Sequence, residues 1–254
     1  MAQEIVAKFS GAAERLVLPS PQELVMDGVR WGSHYALFTP AFWATLAWLD
    51  KVEPDTGSYR MGDTLEEEVA ACLLGGYGIP AEVGWAAFYR IREAGLLNGS
   101  RPSDQLLRSA LTEPLNVGGR KVRYRFAGQK AKYLSAALAK LREVAPPTHD
   151  DLALRGWLMG LDGIGPKTAS WITRNWLGSD KVAIIDIHIH RAGMLMRLYD
   201  DRESPARDYF GMERKFLNFA DRINVKASIL DALIWRQMKD AGNMALDLVK
   251  RLTK

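Results

Sequence analysis

Two ionisable side chains draw attention in the second half of the chain, Lys167 and Asp186, which lie 19 residues apart. Asp186 stands between apolar residues in the run IIDIHI. This pattern predicts a partly buried carboxylate, and such a group needs either a partner or a chemical task. Lys167 is predicted in the first turn of a helix, where a solvated lysine is the simplest interpretation, although a neutral amine there would be a nucleophile.

A tight hairpin comes directly before the lysine. The sequence LDGIGP (Leu161–Pro166) joins a short predicted helix, Leu152–Met159, to a second one over Lys167–Trp176. Gly163 and Gly165 permit backbone angles that other residues avoid, and they let a bulky ligand approach the main chain. The free N–H groups and the positive dipole at the start of the second helix form an anion site. This is a helix-hairpin-helix element, which grips a DNA phosphate through backbone amides without reading sequence.

The segments LDGIGPKTAS and IIDIHIHRA together resemble the helix-hairpin-helix DNA glycosylase superfamily, whose signature is a hairpin, a Gly/Pro-rich loop and an aspartate. The lysine after the hairpin and the Asp-x-His-x-x-Arg pattern at Asp186, His188 and Arg191 are similar to the bifunctional members, including endonuclease III-like and 8-oxoguanine DNA glycosylases. A weaker similarity extends through RYRFAGQKAKYL, residues 123–134. The single cysteine, Cys72, excludes the four-cysteine cluster of many relatives and indicates the cluster-free, 8-oxoguanine DNA glycosylase-like branch.

The resemblance implies a role for each of these residues. Lys167 would attack the sugar C1′, expel the base and form a Schiff base. Asp186 would stabilise the oxocarbenium-like sugar and orient the amine, while it could also be the N-cap of the helix Ile187–Leu198. For His188 and Arg191, packing on the helix surface is the alternative to DNA contact. The residues expected to contact DNA are Gly163, Gly165, Thr168, His188, Arg191, Gln129 and Lys130.

The sequence does not predict a catalytic metal. His188 and His190 are two residues apart and therefore face away from each other on a helix. A lone cysteine allows neither a Cys-rich zinc site nor an iron–sulfur cluster. We therefore expect no cofactor. The one ion that the resemblance allows is a monovalent cation held by carbonyl groups of the hairpin, as in relatives.

The residues that would recognise the base are where the resemblance weakens. After the predicted helix Leu65–Leu74, relatives carry a segment containing Asn or Gln, which fills the gap left by the flipped base. This chain has GGYG there instead. Tyr77 is a candidate wedge or stacking surface, and Gly78 is a candidate for making room for a bulky base. Asp231 and Trp235 share a helix face and are candidate pocket residues, with core packing and a cap as the simpler interpretation.

Basic residues cluster between Gly119 and Arg142 without any acid, although the whole chain has a net charge of only +4. This run, the basic stripe, predicts a surface for the DNA backbone, with a solvated helix face as the alternative. Its members are Arg120, Lys121, Arg123, Arg125, Lys130, Lys132, Lys140 and Arg142.

The remainder of the 254-residue chain predicts a nearly all-α protein. Apolar residues recur at three- and four-residue steps, and the brief alternation in residues 121–126 is not expected to form a sheet. The superfamily implies an all-α fold of two lobes with the active site in the cleft between them. We expect a helical N-terminal segment (1–62) packing with the C-terminal lobe, a six-helix lobe (63–177) ending in the helix-hairpin-helix, and a C-terminal lobe (178–254) carrying the catalytic aspartate.

The leading hypothesis is a bifunctional DNA glycosylase and abasic-site lyase acting on duplex DNA, with 8-oxoguanine as the default base. A second hypothesis, motivated by the Gly-rich loop, is excision of a hypermodified phage base such as glucosylated hydroxymethylcytosine in anti-phage defence. A third is a non-catalytic DNA-binding module, against which the pair Lys167 and Asp186 argues, because a phosphate clamp needs neither. No signal peptide or membrane span is predicted, so we expect a cytoplasmic monomer.

Overall fold

The computed structural model describes residues 1–50, 59–76, 78–97 and 99–252. The chain divides into two compact units. The terminal unit comprises Met1–Thr56 and Asp180–Lys254, and the central unit comprises Gly57–Ser179. No helix in the described ranges is long and apolar enough to cross a lipid bilayer.

Helices dominate the described part of the chain, and the strands are short. The predicted all-α class is confirmed, since helices account for 55% of the structure and small strands for 10%. In chain order, the elements are β1 (Gln3–Phe9), β2 (Ala12–Leu18), β3 (Leu24–Met26), β4 (Val29–Arg30), α1 (Pro40–Leu49), α2 (Leu65–Leu74), α3 (Ala81–Glu93), α4 (Asp104–Thr112), β5 (Leu115–Val117), β6 (Arg120–Val122), α5 (Ala127–Glu143), α6 (Asp151–Met159), α7 (Pro166–Leu177), α8 (Ile187–Leu195), α9 (Pro205–Arg222) and α10 (Ala227–Leu252).

The terminal unit joins the two ends of the chain in one hydrophobic core. Trp43 of α1 is fully buried together with Phe216 and Phe219 of α9 and Leu230 of α10. Burial of large aromatic and aliphatic side chains is the main driving force for such an association. The N-terminal helix α1 and the C-terminal helices therefore form a single packing unit despite their separation in sequence.

The expected helical N-terminal segment is wrong for residues 3–30, where the structure has two antiparallel β-hairpins, β1–β2 and β3–β4. The first hairpin turns at Ser10 and Gly11, both with positive φ, which is the backbone that a tight two-residue turn requires. Side chains along β1 alternate between more and less exposed positions. This alternation has the period of two that is typical of a β-strand, not the period of a helix.

The central unit has its own core and ends in α6 and α7. Its buried residues include Phe88, Leu134 and Leu158, which come from three different helices. A third small hairpin, β5–β6, turns at Gly118 and Gly119, both with positive φ. The prediction that residues 121–126 contribute to no sheet is thus wrong for the first two of them, because the paired glycines close a tight turn before Arg120.

Candidate active site and nucleic-acid interface

The loop between α6 and α7 has the geometry predicted for the hairpin. Gly163 has a φ of +79°, and Ile164 is buried, with its N–H donating to the Leu161 carbonyl group at 3.1 Å. Gly165 is the N-cap residue of α7 and brings no side chain to cap the helix. Pro166 is the first helical residue. The first-turn N–H groups and the positive end of the helix dipole can therefore bind an anion from outside the protein.

Gly163 is fixed by close packing as well as by its backbone angles. A Cβ atom at this position would lie 2.2 Å from Cδ2 of Tyr133 in α5, far inside van der Waals contact. Gln129 Nε2 in turn donates a hydrogen bond of 3.0 Å to the Tyr133 hydroxyl group. The hairpin is thus tied through one aromatic ring to Gln129, one of the residues expected to contact DNA.

We expect Gly163→Ala to lower the free energy of unfolding by about 2–4 kcal/mol, from the positive φ and the overlap with Tyr133 together. The matched control is Gly165→Ala, because Gly165 has a negative φ and a Cβ there would meet no atom within 4 Å. Its unfolding free energy should stay within about 0.5 kcal/mol of the parent protein. Urea unfolding measures both, and equal effects would contradict this account of the hairpin.

Lys167 is the second residue of α7 and is half-buried. Beside it, the predicted contact Thr168 is also half-buried. Burial raises the pKa of the Cys72 thiol in α2 well above its ordinary value, and the positive charges of Arg174 and Lys167 act against this rise. The Lys167 ammonium group therefore lies within electrostatic range of the buried end of α2.

A buried carboxylate holds α2 against the helix that carries Lys167. Glu68 is fully buried, and its Oε1 accepts a hydrogen bond of 2.7 Å from Asn175 Nδ2 in α7. Its Oε2 accepts the N–H of Met61 at 2.6 Å. Burial raises the pKa of Glu68, and the hydrogen bond from Asn175 is the largest of the opposing effects. These bonds fix α7 relative to α2 and the segment before it.

Asp186 is the N-cap residue of α8 and is 8% exposed. Its Oδ1 accepts the N–H groups of His188 and Ile189, at 2.8 and 3.0 Å. Within the described ranges, its Oδ2 accepts no hydrogen bond. One oxygen of this carboxylate therefore holds the helix start, and the other retains its lone pairs for a ligand.

The C-terminal pocket candidates have different surroundings. Asp231 is 2% exposed, and its Oδ2 accepts the N–H of Ile184 at 3.2 Å. Trp235 is 40% exposed, and its ring lies 6.3 Å from that of His188 in an edge-to-face arrangement. The Lys239 ammonium group lies 4.8 Å from the centre of the Trp235 ring. Trp235 thus presents an aromatic surface beside the start of α8. Arg191, in the middle of α8, is half-buried.

The loop after α2 is described except for Tyr77, the candidate wedge, which lies outside the described residues. Gly78 has a φ of +75°, and a Cβ there would touch the Phe126 ring at 3.6 Å. The buried Tyr124 hydroxyl group donates a hydrogen bond of 2.7 Å to the carbonyl group of Leu74, the last residue of α2. The start of the basic stripe is therefore anchored directly beside this loop.

Members of the basic stripe differ in their availability to DNA. Lys130, in the first turn of α5, is half-buried, and burial lowers its pKa. Arg142 pairs with Glu66 through two contacts, of 3.2 and 3.1 Å, and also binds the Gly99 carbonyl group. The exposed members are Arg120, Lys121, Arg123, Arg125, Lys132 and Lys140. The hairpin β5–β6 and the residues after it carry the first four of these.

No group of three or more His, Cys, Asp or Glu side chains in the described ranges could hold a metal ion. A monovalent cation at the hairpin would use backbone carbonyl groups instead, and it stays a prediction.

Three side chains that contact the predicted site segments have no signal in the sequence. They are Tyr133, Tyr209 and Glu213, none of which is among the site residues that the sequence predicts. All three act through contacts with residues distant in sequence, to Gly163, Ala183 and Ile185. No local periodicity or motif signals such a contact.

Comparison with known proteins agrees with this geometry. Residues 58–225 match the Ogg-HhH family model, described as 8-oxoguanine DNA glycosylase. A curated relative, the 8-oxoguanine DNA glycosylase/AP lyase of Metallosphaera sedula, is 34% identical over 116 residues, which are 44% of this chain and 57% of that protein. The chain thus spans little more than half the length of this relative.

Two solved structures are also similar. The Methanocaldococcus jannaschii 8-oxoguanine glycosylase/lyase, in complex with a 15mer DNA containing 8-oxoguanine, has a TM-score of 0.54 and 28% identity, covering 68% of this chain and 79% of that one. The Methanocaldococcus jannaschii 8-oxoguanine DNA glycosylase has a TM-score of 0.59 and 24% identity, covering 81% and 97%. The second likeness supports the fold alone.

Proposed function

Because the chain belongs to the 8-oxoguanine DNA glycosylase family of helix-hairpin-helix proteins, we propose that it excises 8-oxoguanine from duplex DNA and then cleaves the abasic strand. The observation that carries this proposal is the position of Lys167. Its amine follows directly after a hairpin whose first-turn N–H groups are open to a phosphate, in a chain that matches this family over the same residues. A strand held by that phosphate would be presented to the amine.

The reaction begins with the neutral amine of Lys167. Nζ attacks C1′ of the flipped nucleoside, the bond from C1′ to N9 breaks, and the base leaves with a proton. Opening of the sugar ring gives a Schiff base between Nζ and C1′. Loss of a proton from C2′ then expels the 3′ phosphate, and water releases the enzyme. Asp186 stabilises the positive charge that develops on the sugar as the base leaves.

The flipped base requires a stacking surface. Trp235 supplies an exposed indole ring close to His188, two residues after the catalytic carboxylate. Aromatic faces of this kind bind a flipped base by stacking, and stacking alone does not select one base over another. The hypermodified phage base therefore belongs in the test as a competing substrate.

The proposed function is tested by identifying the excised base. Duplexes containing 8-oxoguanine, an oxidised pyrimidine or glucosylated hydroxymethylcytosine are incubated with the protein, and the free base is identified by mass spectrometry. Release of 8-oxoguanine followed by strand cleavage is the expected result. Release of only another base would reassign the substrate. Binding of all duplexes with neither base release nor nicking of an abasic site would leave a non-catalytic DNA-binding module.

We expect DNA affinity to fall steeply with salt, with a slope of about 0.9 in log–log terms for each phosphate contact. The double variant Arg120→Gln/Lys121→Gln removes two exposed charges from β6 and should reduce this slope. The matched control is Arg142→Gln, whose slope should be unchanged because Arg142 is paired with Glu66. Fluorescence anisotropy between about 50 and 200 mM salt measures the slopes. A flat salt response, or an equal change of slope in both variants, would rule out the β5–β6 hairpin as a phosphate contact.

A further inference from the structure

The backbone leading to Asp186 is held by side chains rather than by a neighbouring strand. Residues 182–186 lie in neither a helix nor a strand and belong to no sheet. The Ala183 N–H donates to Glu213 Oε1 at 3.0 Å, and the Ile184 N–H donates to Asp231 Oδ2 at 3.2 Å. The next donor along the chain, the Ile185 N–H, binds a tyrosine hydroxyl oxygen at 3.3 Å.

Tyr209 makes two of the contacts to this segment. Besides accepting the Ile185 N–H, its hydroxyl group donates a hydrogen bond of 2.8 Å to the Ala183 carbonyl group. The ring is buried in the core of the terminal unit. Because all three consecutive N–H groups before Asp186 end on buried side chains of α9 and α10, those helices determine where the carboxylate stands.

Holding the segment with buried carboxylates carries a free-energy cost of desolvation. Glu213 and Asp231 are only 3% and 2% exposed, and taking carboxylates out of water disfavours folding unless hydrogen bonds compensate. Pairing with a strand would satisfy the same N–H groups without burying carboxylates. The side chains bind the three residues that immediately precede Asp186, so the arrangement gives a fixed position to that one residue.

We propose that Tyr209, Glu213 and Asp231 are positioning residues for Asp186, and this inference rests on the proposed glycosylase function. They hold the segment 183–185 so that Asp186 caps α8 through Oδ1 and keeps Oδ2 for the sugar. A displacement of about 1 Å from the productive geometry costs on the order of 100-fold in rate. These residues therefore act on base excision without touching DNA.

The two chemical steps separate this role from a merely structural one. Expulsion of the base builds positive charge on the sugar and needs Asp186 in place. A preformed abasic site has no base to expel, and its aldehyde reacts with the Lys167 amine directly. Loss of positioning should consequently slow base excision much more than nicking of an abasic duplex, whereas a general loss of structure would slow both.

The experiment compares Tyr209→Phe with Tyr199→Phe. Tyr199 is also buried in the terminal unit, and its hydroxyl group donates a hydrogen bond of 3.1 Å to the Met212 carbonyl group rather than to a residue of the segment 183–185. Single-turnover base release, nicking of a preformed abasic duplex, DNA affinity and thermal unfolding are measured for both. The variant Asp231→Ala removes a second contact, and Asp231→Asn restores an acceptor oxygen.

Tyr209→Phe and Asp231→Ala should slow base release by on the order of 10-fold to 100-fold, with abasic-site nicking changed less than about threefold. Asp231→Asn should recover most of the rate, Tyr199→Phe should retain it, and Tyr209→Phe should add little to Asp186→Asn. Equal losses in both steps, or a full additional loss in the double variant, would overturn the positioning role. Absence of base release by the parent protein would instead count against the proposed function.

Discussion

Replacing Lys167 with glutamine is expected to abolish covalent trapping and to reduce base release by at least on the order of 10³-fold. Glutamine keeps the length and hydrogen bonding of the side chain, but it has no amine that can attack C1′ and form a Schiff base. Some rate should remain, because the other groups that stabilise the transition state are intact. Sodium borohydride reduction during the reaction, followed by denaturing electrophoresis, measures the trapped protein–DNA complex.

The control for Lys167→Gln is Lys250→Gln in α10. The Lys250 side chain is 62% exposed and lies 3.6 Å from Asp247 in the last turns of α10, so this variant removes the same charge from a different helix. Both variants should unfold within about 0.5 kcal/mol of the parent protein, because substitutions of this kind seldom alter stability. A complex that still forms with Lys167→Gln would transfer the nucleophile to another amine, and the half-buried Lys130 would be tested next.

Helix starts in this protein were predictable because their signals are local. Thr64, Ser103 and Asp150 each accept the N–H of the residue three positions later. All three are residue types that favour the N-cap position, and each stands directly before its helix. The hairpin before Lys167 and the cap at Asp186 are equally local. A capping side chain and its target lie within one turn, so the sequence carries the whole interaction.

The N-terminal hairpins were missed for the opposite reason. β3 and β4 are only three and two residues long, too short for a period of two to be recognised. The stability of β1–β2 comes partly from a distant contact, since the Phe9 ring meets Trp48 edge to face at 5.0 Å. Strand formation depends on such packing more than on the residues of the strand themselves.

The same limit applies to the site. Counting charges places Arg142 in the basic stripe. In the structure its guanidinium group is paired with Glu66, and this residue, 76 positions away, gives no signal near Arg142 in the sequence. Asp231 was a candidate pocket residue, with core packing and a cap as the simpler interpretation, and its carboxylate binds the backbone of Ile184, 47 residues earlier. The candidate catalytic residues Lys167 and Asp186 belong to a recognisable motif, whereas contacts between residues distant in sequence have no local signal.

Asp186→Asn is expected to slow base release by on the order of 10²-fold to 10³-fold with little loss of stability. Asparagine is as good an N-cap as aspartate, so its amide oxygen can still accept the N–H groups of His188 and Ile189. What it lacks is the negative charge that stabilises the developing positive charge on the sugar. Asp186→Ala loses both functions, and its unfolding free energy should fall by a further amount of about 1 kcal/mol.

Asp150→Ala separates the cap from the catalysis. Asp150 caps α6 by the same chemistry, with Oδ1 accepting the Ala153 N–H at 2.7 Å, so its removal should cost about 1 kcal/mol of stability and leave base release intact. Single-turnover base release and urea unfolding of the three variants distinguish the two roles of Asp186. If Asp186→Asn releases base at the parental rate, the carboxylate serves only as a cap. Transition-state stabilisation would then have to come from the hairpin dipole and Lys167 alone, because the second oxygen of Asp186 would have no task.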